Sequence, residues 1–396
     1  MFKNVLYKAY LLVGACLTFA ACSQEDDLQA VGSDGVSIQV RIADAVATRA
    51  TEDGWDEGWN ENAVTRLDLF QFAADGTLKH HLLPSDLPSF TDQNATFKTL
   101  TVKGLTYNDL ANNPTDVFYL VANCPQLSSA SINSFSDLQA MMITPDLDMD
   151  AKQTSFVMDA RTSKDSTDLY VVNAADKKIT LRFELYRAAA KIRIAVNDES
   201  GNDILDECKY KLYNFVQDGT SVLAESEAYG EGEGQSRTTS DSFLDFTLTN
   251  GSKAVFYTYP NDWFDESYLD KTTGTFPTDK NGDPTHPYAS DNLIDETKRT
   301  YIMLEAPYGG DGTYYYQIPV NLSIADFNDQ DGFTADEIKA LRKTYYSVCR
   351  NTIYDVTVTV DRAGGSLTDP VTPEFHIRVN DWEQGGDYNI GQGEFQ

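Results

Sequence analysis

The chain has 396 residues, a formal net charge of −30 at pH 7 and a sequence pI near 4.3. This length exceeds the usual size of one domain, so it predicts two domains that can each bury a core. The acidic balance argues against binding of nucleic acid, or of an anionic membrane, through basic patches.

The first residues have the pattern of a secretory signal peptide. Residues 1–21 begin with Lys3 and Lys8, continue with an apolar run too short for a comfortable membrane crossing, and end on small residues before Cys22. Small residues directly before a cysteine are typical of a bacterial lipobox, in which Cys22 becomes the lipidated N-terminus of a membrane-tethered chain. The alternative is an ordinary signal peptide followed by an incidental cysteine.

The segment after the signal peptide predicts one strand and then a spacer. Val36, Ile38, Val40 and Ile42 alternate with small or polar residues, which is typical of a half-buried β-strand. The following stretch loses this pattern and contains Arg49, which a trypsin-like protease could cut. From the residues alone, an uncut linker is the preferred interpretation of this stretch.

Period-two alternation, interrupted by Gly, Asn, Asp and Pro, continues along the chain and predicts further strands. The predicted strands are 66–72, 117–122, 169–172, 179–185, 191–196, 210–216, 254–259, 300–304, 314–322 and 354–360. Short helices are predicted at 136–142 and from Thr334, which forms a capping-box pattern with Glu337. Many short strands with turn signals predict β-sandwich domains, and a boundary is expected within 176–187.

The sequence contains no spacing that indicates catalysis, a metal site or a cofactor. The four histidines do not stand in a metal-ligand or nucleophile–base spacing. The acidic stretch from Asp326 fails the calcium-loop pattern, because glycine falls at the seventh position and not at the sixth. We therefore predict no cofactor and no enzyme.

The cysteines that follow Cys22 are Cys124, Cys208 and Cys349. Their wide spacing predicts neither a disulfide framework nor a zinc site. Buried thiols that act as small apolar side chains are the preferred interpretation, although Cys208 and Cys349 could pair in an oxidising compartment.

The order of these segments resembles the fimbrillins of Bacteroidales, the type V pilins. The similarity begins with the lipobox at Cys22 and the alternating strand, and it reaches Arg49 and Ala50, where family members are cut by an arginine-specific protease. Further similar segments are 67–72 before the turn at 75–76, then 119–123, 183–192, 350–360 and 375–382. The chain departs from the family pattern at Thr352, where histidine is common, and in the glycine-rich tail 384–393, which is less apolar than a strong donor strand.

The resemblance implies an all-β fold of two transthyretin-like β-sandwich domains in tandem, with few short helices. The implied organisation is a lipoprotein signal peptide at 1–21, a propeptide with a removable strand at 22–49, an N-terminal domain at 50–183 and a C-terminal domain at 184–396.

The resemblance also implies polymerisation by strand exchange. When the chain is cut after Arg49 and the alternating strand leaves, a groove with unpaired backbone results, and a strand of a neighbouring subunit can fill it. The predicted donor strand presents Phe375, Ile377 and Val379 on one face. The alternative is that 375–382 is the last core strand of the C-terminal domain and that only the glycine-rich tail is exchanged.

The implied function is a structural subunit of a cell-surface fimbria that supports adhesion and is made as an outer-membrane lipoprotein precursor. The implied partners are other copies of the chain and related fimbrillins, an arginine-specific surface protease and the outer membrane through the precursor's lipid, with no nucleic acid. Two alternatives are a tip or anchor fimbrillin, and a surface lipoprotein that binds glycans through aromatic strands such as the one with Tyr314, Tyr315 and Tyr316.

Overall fold

The structure, a computed structural model, consists of β-strands with two short α-helices in the ranges it describes, so the predicted all-β fold is confirmed. Those ranges are residues 35–42, 61, 63–82, 90–91, 98–102, 104–128, 130–143, 147–153, 155–166, 168–217, 220–224, 236–263, 296–310, 312–321, 347–381 and 388–389. Within them, no helix is both long and apolar enough to cross a membrane.

The elements up to the middle of the chain build an N-terminal sandwich. The strands are β1 (Gly35–Ile42), β2 (Ala63–Val64), β3 (Leu67–Phe72), β4 (Leu78–Leu82), β5 (Phe90–Thr91), β6 (Lys98–Thr101), β7 (Val117–Ala122), β8 (Met142–Ile143), β9 (Met158–Ser163), β10 (Tyr170–Asn173) and β11 (Lys178–Arg187). The helices are α1 (Tyr107–Ala111) and α2 (Phe135–Gln139). Each helix begins with a capping box, formed by Thr106 with Asp109 and by Ser134 with Asp137.

The remaining strands build a C-terminal sandwich and its connections. They are β12 (Ala190–Asp198), β13 (Lys209–Tyr213), β14 (Phe215–Val216), β15 (Thr220–Ser221), β16 (Arg237–Thr238), β17 (Leu244–Asp245), β18 (Thr249–Asn250), β19 (Lys253–Thr258), β20 (Asn261–Asp262), β21 (Tyr301–Pro307), β22 (Thr313–Pro319), β23 (Ser347–Val348), β24 (Thr352–Val360), β25 (Glu374–Asp381) and β26 (Tyr388–Asn389).

The predicted strands all overlap strands of the structure, and the differences have local causes. The strand predicted at 210–216 is interrupted at Asn214, which has a φ of 56° and donates side-chain hydrogen bonds to the carbonyls of Thr297 and Arg299. The helix predicted at 136–142 ends earlier, because β8 pairs with β15 there. The helix predicted from Thr334 lies outside the described residues.

The long strand β11 joins the two sheets of the N-terminal sandwich. Lys178–Leu185 of β11 pair with β1 on one edge, and β10 pairs with the start of β11 on the other edge. The last two residues of β11 pair instead with β9, which continues the order β4-β3-β7-β9. Alternate residues of β11 are buried, so its apolar face lies in the core between the sheets.

The C-terminal sandwich consists of a six-stranded and a four-stranded sheet. The six-stranded order is β18-β19-β12-β24-β25-β26 and the four-stranded order is β17-β13-β21-β22. Ile194, Phe256 and Tyr354 from the first sheet and Tyr210 and Ile302 from the second belong to one buried cluster. The core of this sandwich therefore lies between the two sheets.

The two sandwiches meet at a tight junction directly after β11. Ala188 and Ala189 are fully buried between β11 and β12. The Arg187 amide donates to Oδ1 of Asn351 at 3.1 Å, and the Asn351 amide donates to the Ala189 carbonyl at 2.8 Å. Two of the segments that carry the family resemblance thus contact each other here.

The chain passes from the N-terminal to the C-terminal sandwich at residues 188–189. The predicted domain boundary at 183/184 lies within β11 and stays a prediction.

Buried charges connect the sandwiches across this junction. Lys191 of β12 is fully buried and its Nζ lies 2.7 Å from Oε1 of Glu61, which also accepts a hydrogen bond from Tyr257. Arg350 lies 3.0 Å from Oδ1 of Asp159 of β9. Desolvation lowers the pKa of Lys191 to about 8, even though Glu61 favours its charged form.

We predict that removing one partner of the Lys191–Glu61 pair destabilises the protein much more than removing both. K191M leaves a buried carboxylate without its cation and should cost about 3 to 5 kcal/mol of unfolding free energy. E61L/K191M leaves neither charge and should recover most of this loss, as measured by chemical denaturation. A double variant as unstable as K191M would contradict the prediction.

The same pair predicts a pH dependence. Between about pH 8 and 10.5, the ordinary pKa of lysine, the unfolded chain binds a proton at Lys191 that the folded chain has released, so folding stability should rise with pH. Other groups titrate in this range, and E61L/K191M serves as the reference for them. The stability of the wild type relative to this variant should increase between pH 8 and pH 10, and a flat difference would contradict the assignment.

Candidate functional site

The predicted removable strand is an internal strand of the N-terminal sandwich. β1 runs parallel to β11, from Gly35 opposite Lys178 to Ile42 opposite Leu185. Its other edge pairs antiparallel with β6 over the middle of the strand. We call the space that β1 occupies, between Ile179–Leu185 of β11 and Lys98–Thr101 of β6, the β1 groove.

The apolar face of β1 fills this groove. Val36, Ile38, Val40 and Ile42 have exposed fractions of 1%, 0%, 0% and 4%, and they alternate with half-exposed residues along the strand. Their register partners on β11 are buried as well. Each such side chain contributes about 1.5–3 kcal/mol when it is removed from water, so together they hold β1 firmly in the sandwich.

The outer face of β1 carries a row of polar contacts with β11. Ser37 and Thr180 hydroxyls lie 3.1 Å apart, and Arg182 Nε donates to Oε1 of Gln39 at 2.9 Å. Arg41 forms an ion pair with Glu184. Because a slip by one residue would exchange the two faces of β1, these pairs and the apolar face specify the same register.

The predicted processing and lipidation sites lie outside the described residues. These are Arg49 and Ala50, in the segment between Ile42 and Glu61, and Cys22, which precedes β1. Glu61 is the first described residue after β1, and the buried Lys191–Glu61 pair anchors it to the C-terminal sandwich. Glu61 is therefore held by a contact that does not involve β1.

The predicted donor residues lie in the core of their own domain. Phe375, Ile377 and Val379 have exposed fractions of 9%, 2% and 6% and belong to β25, which pairs with β24 along its whole length. On its other edge β25 pairs with β26. The geometry therefore favours the alternative interpretation, in which this segment is an internal strand of the C-terminal sandwich. Donating it would require the domain to lose the strand that pairs with the whole of β24.

The tail after β25 begins beside this sheet. Tyr388 and Asn389 form β26, which pairs antiparallel with Val379 and Arg378. A two-residue edge strand gives up few contacts when it separates. The tail, and not β25, is the segment whose exchange would leave the C-terminal core intact.

The remaining candidates from the sequence are the three cysteines, the tyrosine strand and possible metal ligands. Cys124, Cys208 and Cys349 are free and buried, so the disulfide left open for the last two is absent, and burial raises the pKa of Cys208 to about 12. Tyr316 is fully buried and its hydroxyl donates to the Arg362 carbonyl at 2.7 Å. Among the described residues, no group of three His, Cys, Asp or Glu side chains could hold a metal ion.

Sequence reasoning missed two parts of this site. One is β6, whose only apolar residue within its four positions is Leu100, too weak a signal for a strand. The other is the anchor at Glu61. A lysine within the apolar run of β12 at Lys191 was the available hint, because a buried lysine requires a carboxylate partner.

We predict that charges introduced into the apolar face of β1 release it from the groove. I38D/V40D would bury two carboxylates without partners, which costs more than the strand's pairing contributes. Amide hydrogen exchange should accelerate in Ile179–Leu185 of β11 and stay unchanged in Lys209–Tyr213 of β13. Q39A, which changes only the outer face, is the matched control. Unchanged protection of β11 in I38D/V40D would contradict the role of β1.

No protein family matches the sequence, and no curated protein matches it significantly. Solved structures with a similar course of the chain include three fimbrial proteins. The tip fimbrial protein Mfa3 from Porphyromonas gingivalis with C-terminal truncation is 15% identical, with 87% of this chain and 97% of that chain covered and a TM-score of 0.44.

The fimbrilin FimA from Porphyromonas gingivalis W83 is 11% identical, with 87% of this chain and 96% of that chain covered and a TM-score of 0.45. A fimbrial assembly protein from Parabacteroides distasonis ATCC 8503 is 13% identical, with 90% and 98% covered and a TM-score of 0.42. The resemblance predicted from the sequence is confirmed to this extent: the three solved structures named above, to which this chain is similar, are of fimbrial proteins.

Proposed function

We propose that this chain is a structural, non-enzymatic subunit of a cell-surface fimbria, exported as a lipoprotein through Cys22, cleaved after Arg49 and polymerised by strand exchange. The observation that carries the proposal is β1, an N-terminal strand that fills an internal position of a sandwich. A cut at Arg49 would separate β1 from the rest of the chain. An arginine-specific surface protease and the outer membrane are the further partners that this route requires.

Cleavage would change how strongly β1 competes with other strands for the β1 groove. While β1 is covalently connected to the sandwich, its effective concentration at the groove is in the millimolar range or above. Cutting at Arg49 removes this advantage without changing a contact of β1. A strand from a neighbouring copy then competes with β1 on equal terms, so polymerisation starts only after processing.

The vacated groove has one suitable kind of occupant. Without β1, the edges of β11 and β6 expose unpaired amides and carbonyls, and Leu181, Phe183 and Leu185 lose their cover. An extended peptide with alternating apolar residues restores both the backbone pairing and the apolar contacts. Each copy can fill the groove of the next copy, which gives a head-to-tail and non-closing assembly.

We place the donor in residues 382–396 and not in β25. This segment offers Trp382, Tyr388 and Ile390 with period-two spacing between the last two. Removing it from its own copy costs the short β26 pairing, whereas removing β25 would expose Ile377 and Val379 and leave β24 without a partner on that edge.

We predict that filaments consist of chains that begin at Ala50. N-terminal sequencing of surface-extracted filaments measures this directly. The R49A variant should accumulate as a monomer, because β1 keeps its covalent advantage. The R49K variant is the control, because a trypsin-like protease without strict arginine preference would still cut it. Filaments beginning at Cys22 or Ser23 would contradict the processing step.

We also predict that truncation after Asp381 yields a folded, cleavable subunit that does not extend filaments.

Disulfide trapping tests the donor assignment. A cysteine at Leu181 or Phe183 should crosslink between subunits with I390C and not with I377C. The I377C pairing is the matched control, because it reports exchange of β25. Crosslinks through I377C between different copies would restore β25 as the donor.

A further inference from the structure

The β1 groove has a polar side as well as an apolar one. Buried residues of β11 alternate with half-exposed ones, and the half-exposed residues opposite the middle of β1 are Thr180, Arg182 and Glu184. They lie on the face of β11 that points away from the core, because neighbouring strand residues point to opposite faces. The groove therefore presents one cation and one anion, two residues apart, to a strand that lies in it.

Arg182 is held by groups that do not belong to β1. Its backbone amide donates to the Leu169 carbonyl at 2.7 Å, and its Nη1 donates to the Asp168 carbonyl at 3.4 Å. Its Nε donates to Oε1 of Gln39 in β1 at 2.9 Å. If β1 left, the contacts with Asp168 and Leu169 would still keep the guanidinium beside the groove.

Glu184 also has a partner outside β1. Its Oε1 forms the ion pair with Arg41 of β1, and its Oε2 accepts a hydrogen bond from the Tyr186 hydroxyl at 3.3 Å. The Arg41 and Glu184 side chains have exposed fractions of only 38% and 24%. An unsuitable charge opposite Glu184 would therefore be screened less than on an open surface.

Gln39 of β1 reaches both edges of the groove. Its Oε1 accepts from Arg182 of β11, and its Nε2 donates to Oγ1 of Thr99 in β6 at 3.3 Å. The guanidinium only donates hydrogen bonds, so the residue opposite Arg182 has to offer an acceptor. A hydroxyl can donate or accept, so Thr99 suits an amide or a carboxylate at this position.

The two sides of the groove contribute differently to the choice of a strand. The apolar side favours every strand with alternating apolar residues, and this pattern recurs along the chain. A suitable polar pair on the outer side strengthens binding by roughly fivefold at most, whereas like charges placed opposite each other oppose binding. The polar side can thus exclude strands that the apolar side would admit.

From these contacts we infer that Arg182 and Glu184 select by charge the strand that enters the β1 groove. The selected strand runs parallel to β11, as β1 does, and alternates apolar residues on its inner face. It carries an amide or a carboxylate opposite Arg182, and it carries no acid opposite Glu184, where a cation fits best. The inference rests on the proposed strand exchange and adds to it a requirement on the partner strand.

Peptide exchange tests this requirement without filament assembly. The probe is a fluorescent synthetic peptide with the sequence of residues 35–42, which is the occupant that the structure shows. It is added to the full chain cleaved after Arg49, in which bound β1 has to be displaced. Bound fluorescence at increasing peptide concentration gives the apparent affinity.

Four peptide variants separate charge from other properties of the outer face. R41E places an acid opposite Glu184, and Q39K places a cation opposite Arg182. Q39E and S37A are the matched controls, because they change the same face without creating a contact between like charges. We expect R41E and Q39K to bind roughly tenfold more weakly than the natural sequence, and both controls to bind within about threefold of it. Equal binding of all five peptides would overturn the inference.

Charge reversal in the groove gives the reciprocal test. E184R should bind the R41E peptide more tightly than the natural peptide, and R182E should do the same with the Q39K peptide. A groove variant that is merely distorted would weaken both peptides alike, so the reversed preference is specific to charge selection. If both variants keep the preference of the wild type, the inference is overturned.

The natural peptide distinguishes this inference from strand exchange itself. If it does not displace β1 from the cleaved chain, strand exchange as proposed is overturned. Charge matching is then tested in the uncleaved chain, where R41E should accelerate amide hydrogen exchange in Ile179–Leu185 and R41E/E184R should restore it. Equal exchange in R41E and the wild type would overturn the role of Glu184.

Discussion

The insertion of β1 between β11 and β6 is the interaction on which the rest of the structure depends. β6 pairs with no other strand among the described residues, and the first part of β11 has only the short β10 on its opposite edge. The apolar burial and the backbone pairing of β6 and of the first part of β11 thus both depend on β1. If β1 left the sandwich, one edge of β11 and the paired edge of β6 would lose their partner together.

Buried contacts at the junction connect the two sandwiches. Ala188 and Ala189, the Asn351 hydrogen bonds and the buried Lys191–Glu61 and Arg350–Asp159 pairs hold both domains in one arrangement. Breaking any one of these pairs leaves a buried charge, so intermediate arrangements are costly. In the proposed filament, a fixed arrangement of the two domains would give every subunit the same geometry.

The net charge of −30 affects how copies of this chain meet in solution. A large negative charge keeps copies apart and disfavours nonspecific association. In the proposed strand exchange, attraction is confined to short range, where alternating apolar residues would enter the β1 groove.

The sequence determined the strands, because period-two alternation reports which face of a strand is buried, and it determined the apolar face of β1 in this way. It also indicated the all-β fold and the absence of a metal-ligand spacing. Only the tertiary structure decided which strands pair: the parallel partner of β1 lies far along the chain in β11, and no local pattern encodes that distance. The same limitation applies to Phe375, Ile377 and Val379. Their alternation resembles that of β1, so the pattern alone cannot tell which of the two segments would be exchanged. Only the fold shows that Phe375, Ile377 and Val379 lie in the C-terminal core, with β25 paired to β24 along its whole length, because burial against a particular sheet depends on the complete tertiary structure.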